Sequence, residues 1–256
     1  MSNELQRFVV FGIELLLSFG LIIWMRSSQR GQREPWSFIF KILAFGALTA
    51  VLAAIVQLKY SFKLPDLNQT NPSLVSHYGT WLEILNNFSA SLIEELGKYM
   101  LGVFSLLSTR HNHKMSDTIL YLIIIGLGFA LVEDAIFLAN PDTVPLVRLM
   151  SFYLHSGTSA IIGYSLGRYK FGLAGYKELL VAVVSAVSLH FAFNLTTMIA
   201  DPTTSLVLAF AIALFISLQI FILFRRTMIE EYGVELRAQR IRHTHLLNTE
   251  HLTRIA

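Results

Sequence analysis

Seven long apolar runs dominate this 256-residue sequence, at roughly residues 8–25, 36–58, 82–107, 118–139, 146–167, 179–200 and 204–224. A helix of about 20 apolar residues is long enough to cross the hydrocarbon of a bilayer. Charged residues make up only 14% of the chain, against about 25% in a soluble domain, and they fall mostly between the runs. The expected fold class is therefore all-α: a polytopic membrane protein of about seven transmembrane helices. Little chain is left for a separate soluble domain. Residues 1–226 are expected to form one transmembrane domain, followed by a basic cytoplasmic tail at 227–256.

The basic residues orient the spans, because Lys and Arg favour cytoplasmic loops. Fifteen of the twenty fall on alternate segments: after the first run (Arg26, Arg30, Arg33, Lys41), after the third (Arg110, Lys114), after the fifth (Arg168, Lys170, Lys177) and in the tail. Four fall on the opposite side, at Arg7, Lys59, Lys63 and Arg148, and Lys98 lies inside a run. The N-terminus is expected outside and the C-terminus in the cytoplasm. The first run has one Arg before it and no small-residue cleavage site after it, so it reads as a retained span. The net charge of +3 follows from this topology, and no nucleic-acid partner is implied. The chain has no cysteine, which excludes disulfides, thiol catalysis and cysteine-ligated metal. The outside segment 59–80 carries Pro65, Asn68, Asn71, Pro72 and Gly79 and is expected to be irregular. The tail is expected to be helical and to lie on the anionic cytoplasmic surface, where each Lys or Arg contributes about 1 kcal/mol. A solvated tail is preferred over metal binding by His243, His245 and His251. Gly163 and Gly167, in GYSLG, read as a close helix contact.

Polar side chains interrupt four of the runs. The third carries Glu94, Glu95 and Lys98; the fourth Glu133 and Asp134; the fifth His155; the sixth His190 and Asn194. At a rise of about 1.5 Å per residue, Glu94, His155 and His190 lie near mid-span, with Glu133 somewhat towards the outer face. A charge at the centre of a membrane helix costs about 2.5–3.5 kcal/mol, so five isolated ones would cost on the order of 12–17 kcal/mol. Interhelical hydrogen bonds in membranes return only about 0.6 kcal/mol each on average, so a purely structural network explains the set poorly. A water-filled functional cavity explains it better. Glu94 and Lys98 are four apart and share a helix face, as do His190 and Asn194. Glu95, three residues from Lys98, can also pair with it. Phe129 shares a face with Glu133 and reads as packing beneath it. Glu14, alone in the first run, reads as an interhelical bond or an outer-face position.

Carboxylates, imidazoles and an amide are the parts needed to activate water. A carboxylate takes the proton as general base, and His or Asn donors stabilise the oxyanion of a tetrahedral intermediate. No serine sits in a nucleophile-elbow pattern. Zinc hydrolases commonly use three His or Glu ligands and one water, and Glu133, His155 and His190 are candidates for such a set, although there is no HExxH helix. Both a glutamate-only and a zinc mechanism stay open.

The four motifs also resemble a known family. EELGK (94–98) matches EExxK, FALVE (129–133) matches FxxxE, an isolated His155 stands in the next helix, and HFAFN (190–194) matches HxxxN. Their order, one per successive helix, resembles the PrsW family of intramembrane proteases, which is related to the CAAX prenyl-protease group. REPWSFIFKILAFGAL, from Arg33, is similar to the charged, Pro-containing turn that opens the second helix in that family. The resemblance implies that Glu94 and Glu95 are the essential pair, one of them the base. Glu133, His155 and His190 would complete a water or metal site, assisted by Asn194 and supported by Lys98. Lys98 and Glu133 stand where the prenyl-protease branch has an Arg one residue later and a His. The implied activity is site-1-type cleavage of single-span membrane proteins, such as anti-sigma factors, by a multi-pass protein of a prokaryotic plasma membrane. The expected partners are the lipid bilayer and a membrane-protein substrate. A proton-coupled carrier and a non-catalytic scaffold for single-span partners are the readings of other classes.

The topology is directly testable. A reporter fused after Arg226 should read cytoplasmic and one fused near residue 70 external. An external C-terminus would overturn the arrangement.

Overall fold

The computed structural model describes residues 3–29, 33–60, 72–108, 114–138, 145–196, 198–199 and 201–255. Its elements are seven helices: α1 Asn3–Ser28, α2 Trp36–Tyr60, α3 Pro72–Ser108, α4 Met115–Leu138, α5 Pro145–Lys170, α6 Tyr176–Thr196 and α7 Pro202–Ile255. No strand occurs among the described residues. Helices α3, α5 and α7 each begin at a proline, whose fixed φ and missing N–H suit the first helical position. Asp201 caps α7 by accepting the Thr204 N–H at 2.8 Å and the Thr204 hydroxyl at 2.5 Å. Those bonds hold its carboxyl below the ordinary range.

Five helical segments are long and apolar enough to cross a membrane: Leu5–Ser28, Trp36–Tyr60, Met115–Ile136, Tyr176–Thr196 and Thr203–Arg237. The chain is thus a helical multi-pass membrane protein. The segments outside this set are α3, whose centre carries Glu94, Glu95 and Lys98, and α5, diluted by His155, Ser156, Thr158 and Ser159. The same side chains that suggest a site lower the hydropathy of the helices that hold it.

Helix α4 is the central post. It is apolar on every side, the pattern of a helix enclosed by others, and Met115 to Ala130 are all buried. Its most extensive contacts are with α5 and α2, and α1, α3 and α7 also touch it. Helix α3 packs on α2, α4, α5 and α6. Helix α6 buries one stripe, Leu179, Ala182, Val183, Ala186, Val187, His190 and Phe193. Its opposite face, with Leu180, Val181 and Val184, is exposed. His190 therefore points inward because it occupies the apolar stripe.

The α4–α5 contact is close. A Cβ on Gly126 would collide with the His155 carbonyl oxygen and the Ser159 hydroxyl, and one on Gly163 would lie 2.9 Å from Leu122 Cβ. The close approach read from GYSLG is present at Gly163. At Gly167 a Cβ would meet nothing nearer than Thr118 Cβ at 3.4 Å.

One sequence expectation changes. Helix α3 starts at Pro72, so Gly79 lies inside a helix and not in an irregular segment. A proline at the first helical position starts a helix as readily as it breaks one. Residues 61–71, with Pro65, Asn68 and Asn71, lie outside the described residues. At the other end, α7 continues through residue 226 without a break to a length of 54 residues, about 81 Å at the standard rise. Thr227 and Glu231 are buried. Glu231 Oε2 accepts the Ser116 N–H at 3.0 Å, and Glu230 Oε1 accepts Tyr164 Oη at 2.8 Å and Arg168 Nη1 at 3.0 Å. The side chains of His243, His245 and His251 lie outside the described residues.

Gly126→Ala should force α4 from α5 and destabilise the protein by about 1–3 kcal/mol, the usual effect of overpacking. Gly167→Ala should be nearly neutral. Unfolding of the two variants in detergent distinguishes them, and equal stability would show that the close contact at Gly126 is not needed.

Candidate active site

The polar residues that the sequence places on four helices meet in one buried group. Helix α3 supplies Glu94, Glu95 and Lys98, α4 Glu133, α5 His155, and α6 His190 and Asn194. Glu95, Lys98, His155 and His190 are each at most 2% exposed, Glu94 5%, and the Glu133 side chain 20%. Glu133 and Asn194 are the half-buried members.

Glu95 is the hub. Its Oε1 accepts Lys98 Nζ at 2.6 Å, His190 Nδ1 at 2.7 Å and Thr158 Oγ1 at 3.1 Å. One carboxylate oxygen thereby ties α3 to α5 and α6. Lys98 Nζ also donates to Thr158 Oγ1 at 3.3 Å and lies 3.2 Å from His155 Nδ1. It sits 5.3 Å from the Phe129 ring centroid, within cation–π range. The Phe129 ring also lies 4.9 Å from that of His155. The aromatic residue therefore packs against the imidazole and the ammonium.

These contacts assign the imidazole protons. For neutral rings, a lone pair must face each donor. His190 gives its Nδ1 proton to Glu95, which leaves Nε2 as a lone pair. That lone pair faces Glu94 Oε2 at 3.5 Å, a buried oxygen with no hydrogen-bond partner. With His190 neutral and Glu94 ionised, two acceptors face each other across this gap, which a shared proton or a metal cation would fill. His155 turns Nδ1 to the Lys98 ammonium and shares the proton on Nε2 with Glu133 Oε2 at 2.6 Å. The two rings are T-shaped at 5.0 Å. Each of Glu94, His155 and His190 offers one ligand atom, all within 4.8 Å of one another.

This group differs from the sequence-derived candidates Glu133, His155 and His190 by one carboxylate. Glu94 stands in the convergent set, and Glu133 reaches it at His155. Asn194 lies one turn from His190 and donates to Ser91 Oγ at 3.1 Å. Glu14 is fully buried, in keeping with the interhelical reading. Sequence reasoning missed two residues. Thr158 follows His155 by one turn, a spacing that placed it on the same face. Gln57 of α2 donates through Nε2 to Glu94 Oε1 at 2.8 Å; its only signal was an amide in the apolar run TAVLAAIVQL.

Membrane-crossing helices around buried carboxylates, imidazoles and an ammonium define a class of protein that handles water or protons inside the bilayer. Residues 34–223 match the model of the PrsW family intramembrane metalloproteases. The chain is also 24% identical over 205 residues to Protease PrsW of Clostridioides difficile (strain 630), covering 77% of this chain and 81% of that one. No solved structure matches. The chain belongs to the PrsW family and is an intramembrane protease. Carrier and scaffold readings give way to that assignment.

Removing one partner of a buried ion pair destabilises by about 3–5 kcal/mol, because the other charge stays buried and uncompensated. Lys98→Met should show that loss, and Lys98→Met with Glu95→Gln should recover much of it. Detergent unfolding of the two variants checks this. A single variant as stable as wild type would show that Lys98 does not compensate Glu95.

Proposed function

We propose that Glu94, His155 and His190 hold a zinc ion, His155 through a ring nitrogen released from its present partner, Lys98 at Nδ1 or Glu133 at Nε2, and that this centre hydrolyses a peptide bond of single-span membrane proteins. The observation that carries the reading is the facing pair of acceptors, His190 Nε2 and Glu94 Oε2, with Glu95 gripping the far nitrogen of the same imidazole. A carboxylate on the distal nitrogen of a ligating histidine fixes its tautomer and raises its basicity. Two imidazoles and a carboxylate form a common donor set for catalytic zinc. When bound, the metal supplies Lewis-acid polarisation and a water acidic enough to attack at neutral pH.

The remaining roles follow from the contacts. Glu95 accepts three donors on Oε1, among them His190, so it is assigned the task of orienting His190. Lys98 compensates its charge. Glu133 is partly exposed and shares a proton with His155, which suits it to take a proton from water and deliver it to the leaving amine. Asn194 offers an amide beside the same helix face, where it can hold a substrate carbonyl. Seven spans, with the N-terminus outside, the C-terminus in the cytoplasm and residues 227–256 as a cytoplasmic extension of the 1–226 domain, complete the proposal. It places the protein in a prokaryotic plasma membrane. The positive-inside distribution of Lys and Arg supports this orientation. Single-span regulators such as anti-sigma factors are the proposed substrates.

Purified protein should carry stoichiometric zinc, which Glu94→Gln and His190→Ala should lose. Glu133→Gln should keep the zinc and lower kcat by about 10²–10⁴-fold, the contribution of a general base. Zinc retained in both ligand variants would refute the ligand set, and full turnover by Glu133→Gln would refute its role.

A further inference from the structure

We infer that Gln57 of α2 is a positioning residue for the centre: its side-chain amide fixes Glu94 so that one carboxylate oxygen is turned to the metal ligands. The inference rests on the ligand set proposed above.

Helix α2 buries Ile39, Ile42, Gly46, Thr49, Ala50 and Ala53 along one face. Gln57 is the next position on that face, one turn beyond Ala53. Ala50 and Ala53 pack against Phe129, with Ile93 beside them, so this face of α2 abuts both α4 and the α3 turn that carries Glu94. The two small alanines let α2 come close, and the longer amide then reaches Glu94.

The geometry divides the work of the Glu94 carboxylate. Oε1 accepts Gln57 Nε2 at 2.8 Å. Oε2 is buried without a hydrogen-bond partner and lies 3.5 Å from His190 Nε2. A glutamate on a helix has several rotamers, and only some send an oxygen toward His190. The Gln57 bond holds one end of the carboxylate and thereby points the other. The amide is half-buried, in an otherwise apolar stretch of α2. Leucine there would suit the lipid-facing run better. Glu95 performs the corresponding task for His190, so both ligands have an outer partner: one from α3, the other from α2. The Gln57 amide donates to Glu94 and acts through it.

The test is a double-mutant cycle on full-length protein in detergent, read as zinc affinity by competition with a chelator and as the unfolding midpoint. Gln57→Leu keeps the volume and removes the donor. It should weaken zinc by about 10–100-fold, the usual effect of losing an outer partner of a ligand, with little change in the midpoint. In a Glu94→Asp background, whose shortened carboxylate can still bind zinc weakly but no longer reaches Gln57, the same substitution should have no further effect on zinc. Unchanged affinity in Gln57→Leu would overturn the role of Gln57 while leaving the ligand set intact. An equal loss in both backgrounds would mean general loosening of the helices and would also overturn it. A wild-type protein that binds no zinc would defeat the ligand set first, and the role of Gln57 with it.

Discussion

The structure depends on placing a carboxylate and an ammonium together where water is excluded. Each charge alone is costly in a membrane-spanning helix. Glu95 and Lys98 occur one turn apart on α3 and meet at 2.6 Å with neither side chain exposed. The pair is a weak source of net stability, because two desolvated ions only roughly recover their hydration. Its effect is arrangement. Glu95 Oε1 gains donors beyond Lys98 because Thr158 of α5 and His190 of α6 are within reach. The register of three helices is thereby tied to one oxygen atom.

Around that point the apolar part of the fold acts as a frame. Helix α4 has no polar stripe to orient it, so its neighbours orient by shape. The missing side chain at Gly126 brings the His155 carbonyl against α4. This places the imidazole beside Phe129 and within 2.6 Å of Glu133. On the far side, the α3–α6 seam continues the polar line upward, with Asn194 on Ser91. The convergence of Glu94, His155 and His190 is thus the meeting of two seams, α4–α5 and α3–α6.

Much of this was legible in the residues. Long apolar runs announced the helices, and their interruption at similar depth announced a common site. EELGK, FALVE and HFAFN named most of its members. The bounds of α3 were less legible, because proline carries the same signal for a loop and for a helix start. The continuation of α7 through residue 226 was hidden for a related reason: a polar composition describes solvation, and Glu230 and Glu231 are held by partners far away in sequence.

What the sequence by itself determined was the class of element, the depth of each polar side chain, and which residues share a helix face, since the helical period follows from backbone geometry alone. Which faces meet was decided by the tertiary structure. Sequence spacing put Glu94 and Glu95 on equal terms, yet packing gave Glu95 three donors and left Glu94 with an oxygen facing His190. The same packing brought in Gln57 from a helix without any motif. Contacts between side chains 37 or 95 residues apart depend on how closely helices approach. That distance is set by the small residues of every interface at once, so no single stretch of sequence contains it.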